Sequence, residues 1–223
     1  MAMHFAQLLD DLRARVARMT SKVQRVVEQA TESLIHHDVE LAHQAIEADK
    51  TVDLDEVQVE KSAIGLLALY QPCAADLRFV TSVIKVNNDF ERIADCAVNV
   101  AQRVPSLARQ RDIVLPQDLI TMANGVVETL RTTINAFNLS NVEMAKDVIR
   151  SDDKADALYA QIVQDMLHSL ASGERQAADA NRDLAIIMTA KNYERIGDHC
   201  TNIAEDILYI SSGQIIRHLH SVE

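Results

Sequence analysis

Four carboxylates in each half of this chain are spaced to act in pairs. Asp49 and Asp53, Glu91 and Asp95, Asp152 and Asp156, and Glu194 and Asp198 each stand four residues apart. Four residues is just over one helical turn, so both acids of a pair point the same way. Like charges at that spacing repel, and partial burial adds a desolvation cost. A cation held between two helices relieves both. Hard oxygen donors suit Fe, Mn, Mg or Ca, and carboxylates also accept Zn. Asn99 and Asn202 fall one turn beyond Asp95 and Asp198, where they can hydrogen-bond the acids or ligate weakly. His199 follows Asp198 and can reach the second set, although a lone His is more often a hydrogen-bonded structural residue. A metal-free reading stands beside this one. Arg92 and Arg195 can neutralise neighbouring acids, and a single E-x-x-x-D is usually a solvated charge pair.

The elements that must position these acids are helices. Leu8, Leu12, Val16, Met19, Val23, Val26, Ala30 and Leu34 recur at steps of three or four, with charged residues between them. His36-His37-Asp38 interrupts the pattern, and Asp38 is suited to cap a second helix from Val39 to about Leu69. Gln71-Pro72 ends that helix, and a third runs to about Val104. Pro105 to Pro116 reads as the one linker. Beyond it Leu119, Met122, Val126, Leu130 and Ile134 mark a fourth helix, Asn138 to Asn141 a turn, and a fifth helix reaches about Ala171. Ser172-Gly173 supplies its C-cap. The sixth runs from about Ala177 to Ile210, where Ser211-Ser212-Gly213 stops it.

The arrangement repeats. Phe90-Glu91-Arg92-Ile93-Ala94-Asp95 returns 103 positions later as Tyr193-Glu194-Arg195-Ile196-Gly197-Asp198, and the same offset carries Asp49, Asp53 and Asn99 onto Asp152, Asp156 and Asn202. It carries Cys96 onto His199. The expectation is an all-α fold of six long helices forming two tandem, pseudo-symmetric three-helix bundles, 1–107 and 116–212, with a short tail, 213–223. Each bundle alone buries one face poorly, so the two should pack together or the chain should form a homodimer. In the second helix the apolar stripe reads Ala42, Ile46, Asp49, Asp53, Val57, Ile64, Leu67; in the third, Leu77, Val80, Ile84, Glu91, Asp95, Val98. The acids thus fall on what reads as the inward stripe.

Bulk properties narrow the function classes. A net charge of −11 and a pI near 5.1 oppose binding to nucleic acid or anionic lipid and favour cations or basic protein surfaces. With 5 Gly and 3 Pro there are too few breakers for a turn-rich sheet protein. The odd cysteines Cys73, Cys96 and Cys200 lack C-x-x-C spacing and read as small core residues in a reducing, cytoplasmic setting. His36, His37 and His43 read as surface residues. A Gly-rich phosphate loop, a nucleophile elbow and a Rossmann fingerprint are all missing, and nothing looks like a catalytic nucleophile with its base. A di-iron oxidase of the ferritin kind needs E-x-x-H, but Ala94 and Gly197 stand where its histidines belong.

Three segments together resemble the PhoU family. Tyr70-Gln71-Pro72-Cys73-Ala74-Ala75-Asp76-Leu77-Arg78 is similar to its Q-P-x-A-x-D-L-R junction, and Asn88 to Asp95 to its N-D-x-E-R-I-x-D segment. Tyr193-Glu194-Arg195-Ile196-Gly197-Asp198-His199-Cys200-Thr201-Asn202-Ile203-Ala204-Glu205 is similar to its second E-R-I-G-D-H ending. The resemblance spans nearly the whole chain. It implies two symmetry-related three-helix bundles whose E/D-x-x-x-D motifs hold iron or zinc clusters, or Mg or Mn. It also implies a bacterial regulator of phosphate homeostasis, not an enzyme. Such a regulator stands between the ATPase-driven phosphate transporter and a membrane sensor histidine kinase, restrains the phosphate-starvation response and modulates uptake. It touches the membrane only peripherally, through these partners. The chain departs from the pattern at its three cysteines and at Asn181-Arg182-Asp183-Leu184, which replaces the junction in the second half. A metal-free helical scaffold and an accessory protein of another phosphate permease remain the alternatives.

Overall fold

A computed structural model describes residues 2–109, 114–171 and 177–214, with backbone alone at 2, 170, 171 and 177–179. Among these residues the chain is helical throughout: α1 (Ala2–His36), α2 (Val39–Tyr70), α3 (Ala74–Ala101), α4 (Val104–Ala108), α5 (Gln117–Leu139), α6 (Val142–Ala171) and α7 (Ala177–Ser212). The six long helices are those read from periodicity. The five-residue α4 falls where the linker was expected, because Val104 and Leu107 are buried and hold it against the bundle. The expected cap at Ser172-Gly173 and most of the tail lie outside the described residues. None of the described helices is long and apolar enough to cross a membrane.

Local chemistry sets the corners. His37 takes a left-handed φ of 53°, and the Leu41 N–H then donates to Asp38 Oδ1 at 3.0 Å. That is the N-cap expected of Asp38, a bond that stabilises such a helix by about 1 kcal/mol. Gln71 closes α2 in the left-handed region with its N–H on the Leu67 carbonyl at 3.2 Å, and Pro72 prevents continuation. At the α5–α6 corner Ser140 is left-handed, and Asn141 Oδ1 accepts from the N–H groups of Glu143 and Met144.

The α1, α2 and α3 helices pack against one another, α5, α6 and α7 do the same, and the two units join along α3 with α7 and α1 with α5. The join is nearly two-fold. Arg131 Nη2 of α5 meets Glu28 Oε1 of α1 at 2.7 Å, and these two residues are counterparts at the repeat offset. Phe137 of the second unit inserts its ring between Phe79 and Phe90 of the first, centroids 6.4 and 6.3 Å away. The buried Tyr193 hydroxyl hydrogen-bonds Thr31 at 2.9 Å, tying α7 to α1.

Two expectations are corrected. The buried face of α2 is Ala42, Ala45, Val52, Val59, Ala63 and Leu66, whereas Val57 and Ile64 of the supposed stripe are 40% and 51% exposed, as is Leu77 of α3 at 41%. Small alanines let α2 approach α1 and α3 closely, so the true seam is offset from the larger residues that dominate the pattern. Cys96 and Cys200 are buried as expected, but Cys73 is exposed, because it stands at the start of α3 after the Gln71-Pro72 corner.

Candidate metal centres

The correction to the α2 stripe relocates the acids. They line a groove where α2 meets α3 and, in the second unit, where α6 meets α7, at the rim of the core and not inside it. Asp49, Glu91 and Asp95 are half-buried while Asp53 is exposed; Asp152 and Glu194 are half-buried while Asp156 and Asp198 are exposed. One deep acid per helix with a shallower one a turn away gives each groove a buried floor and an open mouth.

The deep acids carry the electrostatic strain. Burial, then the charges of Asp53 and Asp95, raises Asp49 from 3.8 to about 6. Burial, then Asp95, raises Glu91 from 4.5 to about 7. In the second unit burial, then Asp156 and Asp198, raises Asp152 to about 6, and Asp198 moves upward through burial and then Glu194. Asp95 of α3 acts on Asp49 of α2, and Asp198 of α7 on Asp152 of α6, so the acids interact across each helix pair. Carboxyls pushed upward by burial first and by neighbouring acids second mark a site short of positive charge.

The two units meet that shortage differently. Arg92 lies across the first, its Nη1 2.9 Å from Asp95 Oδ2 and its Nε 3.2 Å from Glu91 Oε2. In the second, Arg195 makes no ion pair among the described residues. Lys191 reaches Glu194 Oε1 at 2.6 Å while standing over the Tyr159 ring, 5.3 Å from its centroid. Asp156, Glu194 and Asp198 each offer a ligand atom, all within 4.8 Å of one another. The other oxygen of Glu194, Oε2, is buried with no hydrogen-bond partner. An orphaned carboxylate oxygen beside two more carboxylates fits a hard cation, which accepts the lone pairs that no N–H or O–H satisfies. The donor set is all oxygen.

The secondary candidates make no hydrogen bond to the clustered acids among the described residues. His199 shares a hydrogen bond with Asp89 Oδ1 of α3, Nδ1 to Oδ1 2.9 Å, so it fastens the two units together. Asn99 and Asn202 make no hydrogen bond to the acids among the described residues; Asn202 is exposed. Sequence reasoning missed Lys191 and Tyr159. The signal was there, since the repeat offset sets them against Asn88 and Glu56, a change of charge on both helices at one place.

With this geometry in hand, comparison with known proteins is decisive. A sequence profile of the PhoU domain matches residues 16–104 and again 119–207. The chain belongs to the PhoU family. The two PhoU matches are separated by the same 103 residues that relate Glu91 to Glu194. Among curated relatives, a phosphate-specific transport system accessory protein PhoU homolog of Aquifex aeolicus is 35% identical over 96% of this chain and 96% of its own length. The accessory protein PhoU of Escherichia coli K12 is 29% identical over 95% of this chain and 86% of its own. The crystal structure of PhoU from Pseudomonas aeruginosa superimposes with a TM-score of 0.88 at 29% identity, covering 94% of this chain and all of that one. The structure of the phosphate transport regulator PhoU from Streptococcus pneumoniae gives 0.86 at 23% identity, a likeness of fold.

Proposed function

We propose that this PhoU-family chain is a cytoplasmic, metal-binding accessory protein of phosphate transport, an adaptor and not an enzyme. It restrains the phosphate-starvation response and modulates uptake by engaging both the transporter's ATPase subunit and its sensor histidine kinase. The relatives' names support the phosphate role. The adaptor mechanism rests on one observation, the convergence of Asp156, Glu194 and Asp198 around an orphaned, buried oxygen. Asp152 completes that set, and Asp49, Asp53, Glu91 and Asp95 form its counterpart. A hard divalent or trivalent cation, iron or zinc or Mg or Mn, supplies there the positive charge that the deep carboxylates lack. The carboxylates thereby clamp α2 to α3 and α6 to α7 and hold a fixed acidic face for basic surfaces of the partners, biasing their conformations.

The test is co-purification. Tagged chain from phosphate-replete cells should retain the ATPase subunit and the kinase, and Ala at Glu91, Asp95, Glu194 and Asp198 together should release both. Retention of neither partner by the unaltered chain overturns the adaptor reading. The metal-free scaffold also has an observation in its favour, since Arg92 already spans Glu91 and Asp95. It predicts that a chelator leaves the melting temperature unchanged, whereas a cation bound only by the folded state must raise it.

A further inference from the structure

Large apolar side chains stand exposed on the helices that carry the acids. Of the eleven large hydrophobic residues exposed among the described ones, eight lie on α2, α3, α6 and α7, the four helices that carry the acids. Solitary exposed leucines need no explanation, but a seam of them beside charged groups marks a surface that meets something.

The seam is best formed on the second unit. Lys191 above the Tyr159 ring fixes the register of α6 against α7. Moving away from the carboxylates, Val163 and Leu167 follow Tyr159 on α6, while Met188 and Leu184 follow Lys191 on α7. Leu167, Leu184 and Met188 are 55%, 56% and 42% exposed. A shallow cavity of about 580 Å³, lined by Tyr159, Ala160, Val163, Gln164, Leu167 and His168, lies along the α6 side. In helical order the paired faces of α6 and α7 run from an acidic end, at Asp156 and Asp198, to an apolar end, at Leu167 and Leu184, with the cavity on the α6 side. From Asp156 to Leu167 these faces span about 16 Å, three turns of helix.

We propose that this groove docks one amphipathic helix of a partner protein. That helix sets apolar residues at i, i+3, i+4 and i+7 against Tyr159, Val163, Leu167 and Met188, and Lys or Arg at one end against the acidic end, where Asp152, Asp156, Glu194 and Asp198 together outweigh one divalent cation. Charge selects this occupant. A second copy of the chain brings its own excess of acids to the same end, and an anionic lipid surface is repelled there, whereas a basic helix is drawn in and oriented. The proposal deepens the adaptor reading by naming the surface and the chemistry it accepts.

A labelled eighteen-residue Leu/Lys peptide, apolar on one helical face with its lysines gathered at one end, serves as probe. Fluorescence anisotropy should show binding to the whole chain at least about tenfold tighter than a scrambled peptide of equal composition. Leu167→Ser with Met188→Ser should weaken it about tenfold. Asp156→Asn with Asp198→Asn should weaken it and flatten its salt dependence, and Leu139→Ser, an exposed leucine away from the groove, should leave it unchanged. Circular-dichroism melts confirm that the variants fold. Equal binding by the groove variant or by the scrambled peptide overturns the proposal. So does sedimentation of the unaltered chain as a dimer that Leu167→Ser with Met188→Ser dissociates, or binding to phosphatidylglycerol vesicles lost in that variant. The probe contains neither transporter nor kinase. Its failure leaves adaptor function possible through another face, while absent partners in the co-purification leave the groove measurement intact.

Discussion

At the scale of single residues the carboxylates define a testable imbalance. Asp49, Glu91 and Asp152 are raised to about 6, 7 and 6 in the folded chain. A carboxyl whose folded value exceeds its unfolded one favours the folded state while protonated. That contribution is present below about pH 4 and is lost as pH climbs through 6 to 7. In chelator, the protein should therefore melt higher at pH 5 than at pH 7.5, the reverse of ordinary acid denaturation. Divalent cation added at pH 7.5 should recover the difference and do little at pH 5, where protons compete for the same oxygens. Scanning calorimetry at the two pH values, with and without cation, checks both halves of this expectation. Glu91→Gln should raise the metal-free melting temperature at pH 7.5 and reduce the gain from added cation, an outcome that simple loss of a surface acid does not produce. The charge relation between the acids was legible from their four-residue spacing. The side chains that answer it were not. Arg92 bends onto Glu91 and Asp95, yet its counterpart Arg195 leaves the second cluster to Lys191. Lys191 also stands over the Tyr159 ring of the facing helix, a contact between helices that no one-dimensional pattern displays.

At the scale of elements, capping and close packing fix helix ends and helix faces. Asp38→Ala removes the bond to the Leu41 N–H and should cost about 1 kcal/mol. Gln71→Gly should be neutral or stabilise by up to about 1 kcal/mol, because a left-handed φ of 48° suits glycine better than a residue with a Cβ. Urea titration of each variant measures both signs. These ends were readable because each is written in a short local code, Asp before an apolar run or Pro after one. The facing of α2 was not. Val57 and Ile64 suggested an inward stripe through Asp49 and Asp53, but the buried seam follows the alanines at 42, 45 and 63. Alanine carries little weight in a hydrophobic pattern and much in packing, since it lets two long helices approach. The same effect explains why the acids line a rim and not a core. At α3 the read stripe is likewise offset: Val80 is buried, but Leu77 is exposed and Ile84 and Val98 only half-buried, while Phe90, Ile93 and Val100 form the true buried face.

At the scale of the whole molecule the chain is a duplicated unit closed on itself. Its two halves meet through counterparts, Glu28 with Arg131 about the near two-fold, and through asymmetric additions such as His199 with Asp89. Fusion in one chain permits what a symmetric pair of identical units cannot, opposite charges at equivalent positions. Phe137 joins the halves through its ring contacts with Phe79 and Phe90. Phe137→Ala should destabilise by roughly 3 kcal/mol, with the two units melting less cooperatively than in the unaltered protein. The repeat, and with it the doubled bundle, was evident from one offset shared by acids and neighbours. How the halves dock was not, since α3 and α7 had to be apolar on two faces whichever way they met. The account as a whole turns on whether the doubled carboxylates hold metal. Elemental analysis of the purified protein after loading and exhaustive desalting asks this directly. Bound iron, zinc or manganese should be present in the unaltered chain and largely lost when Glu91, Asp95, Glu194 and Asp198 are all replaced by Ala; equal metal content in the two proteins contradicts the account.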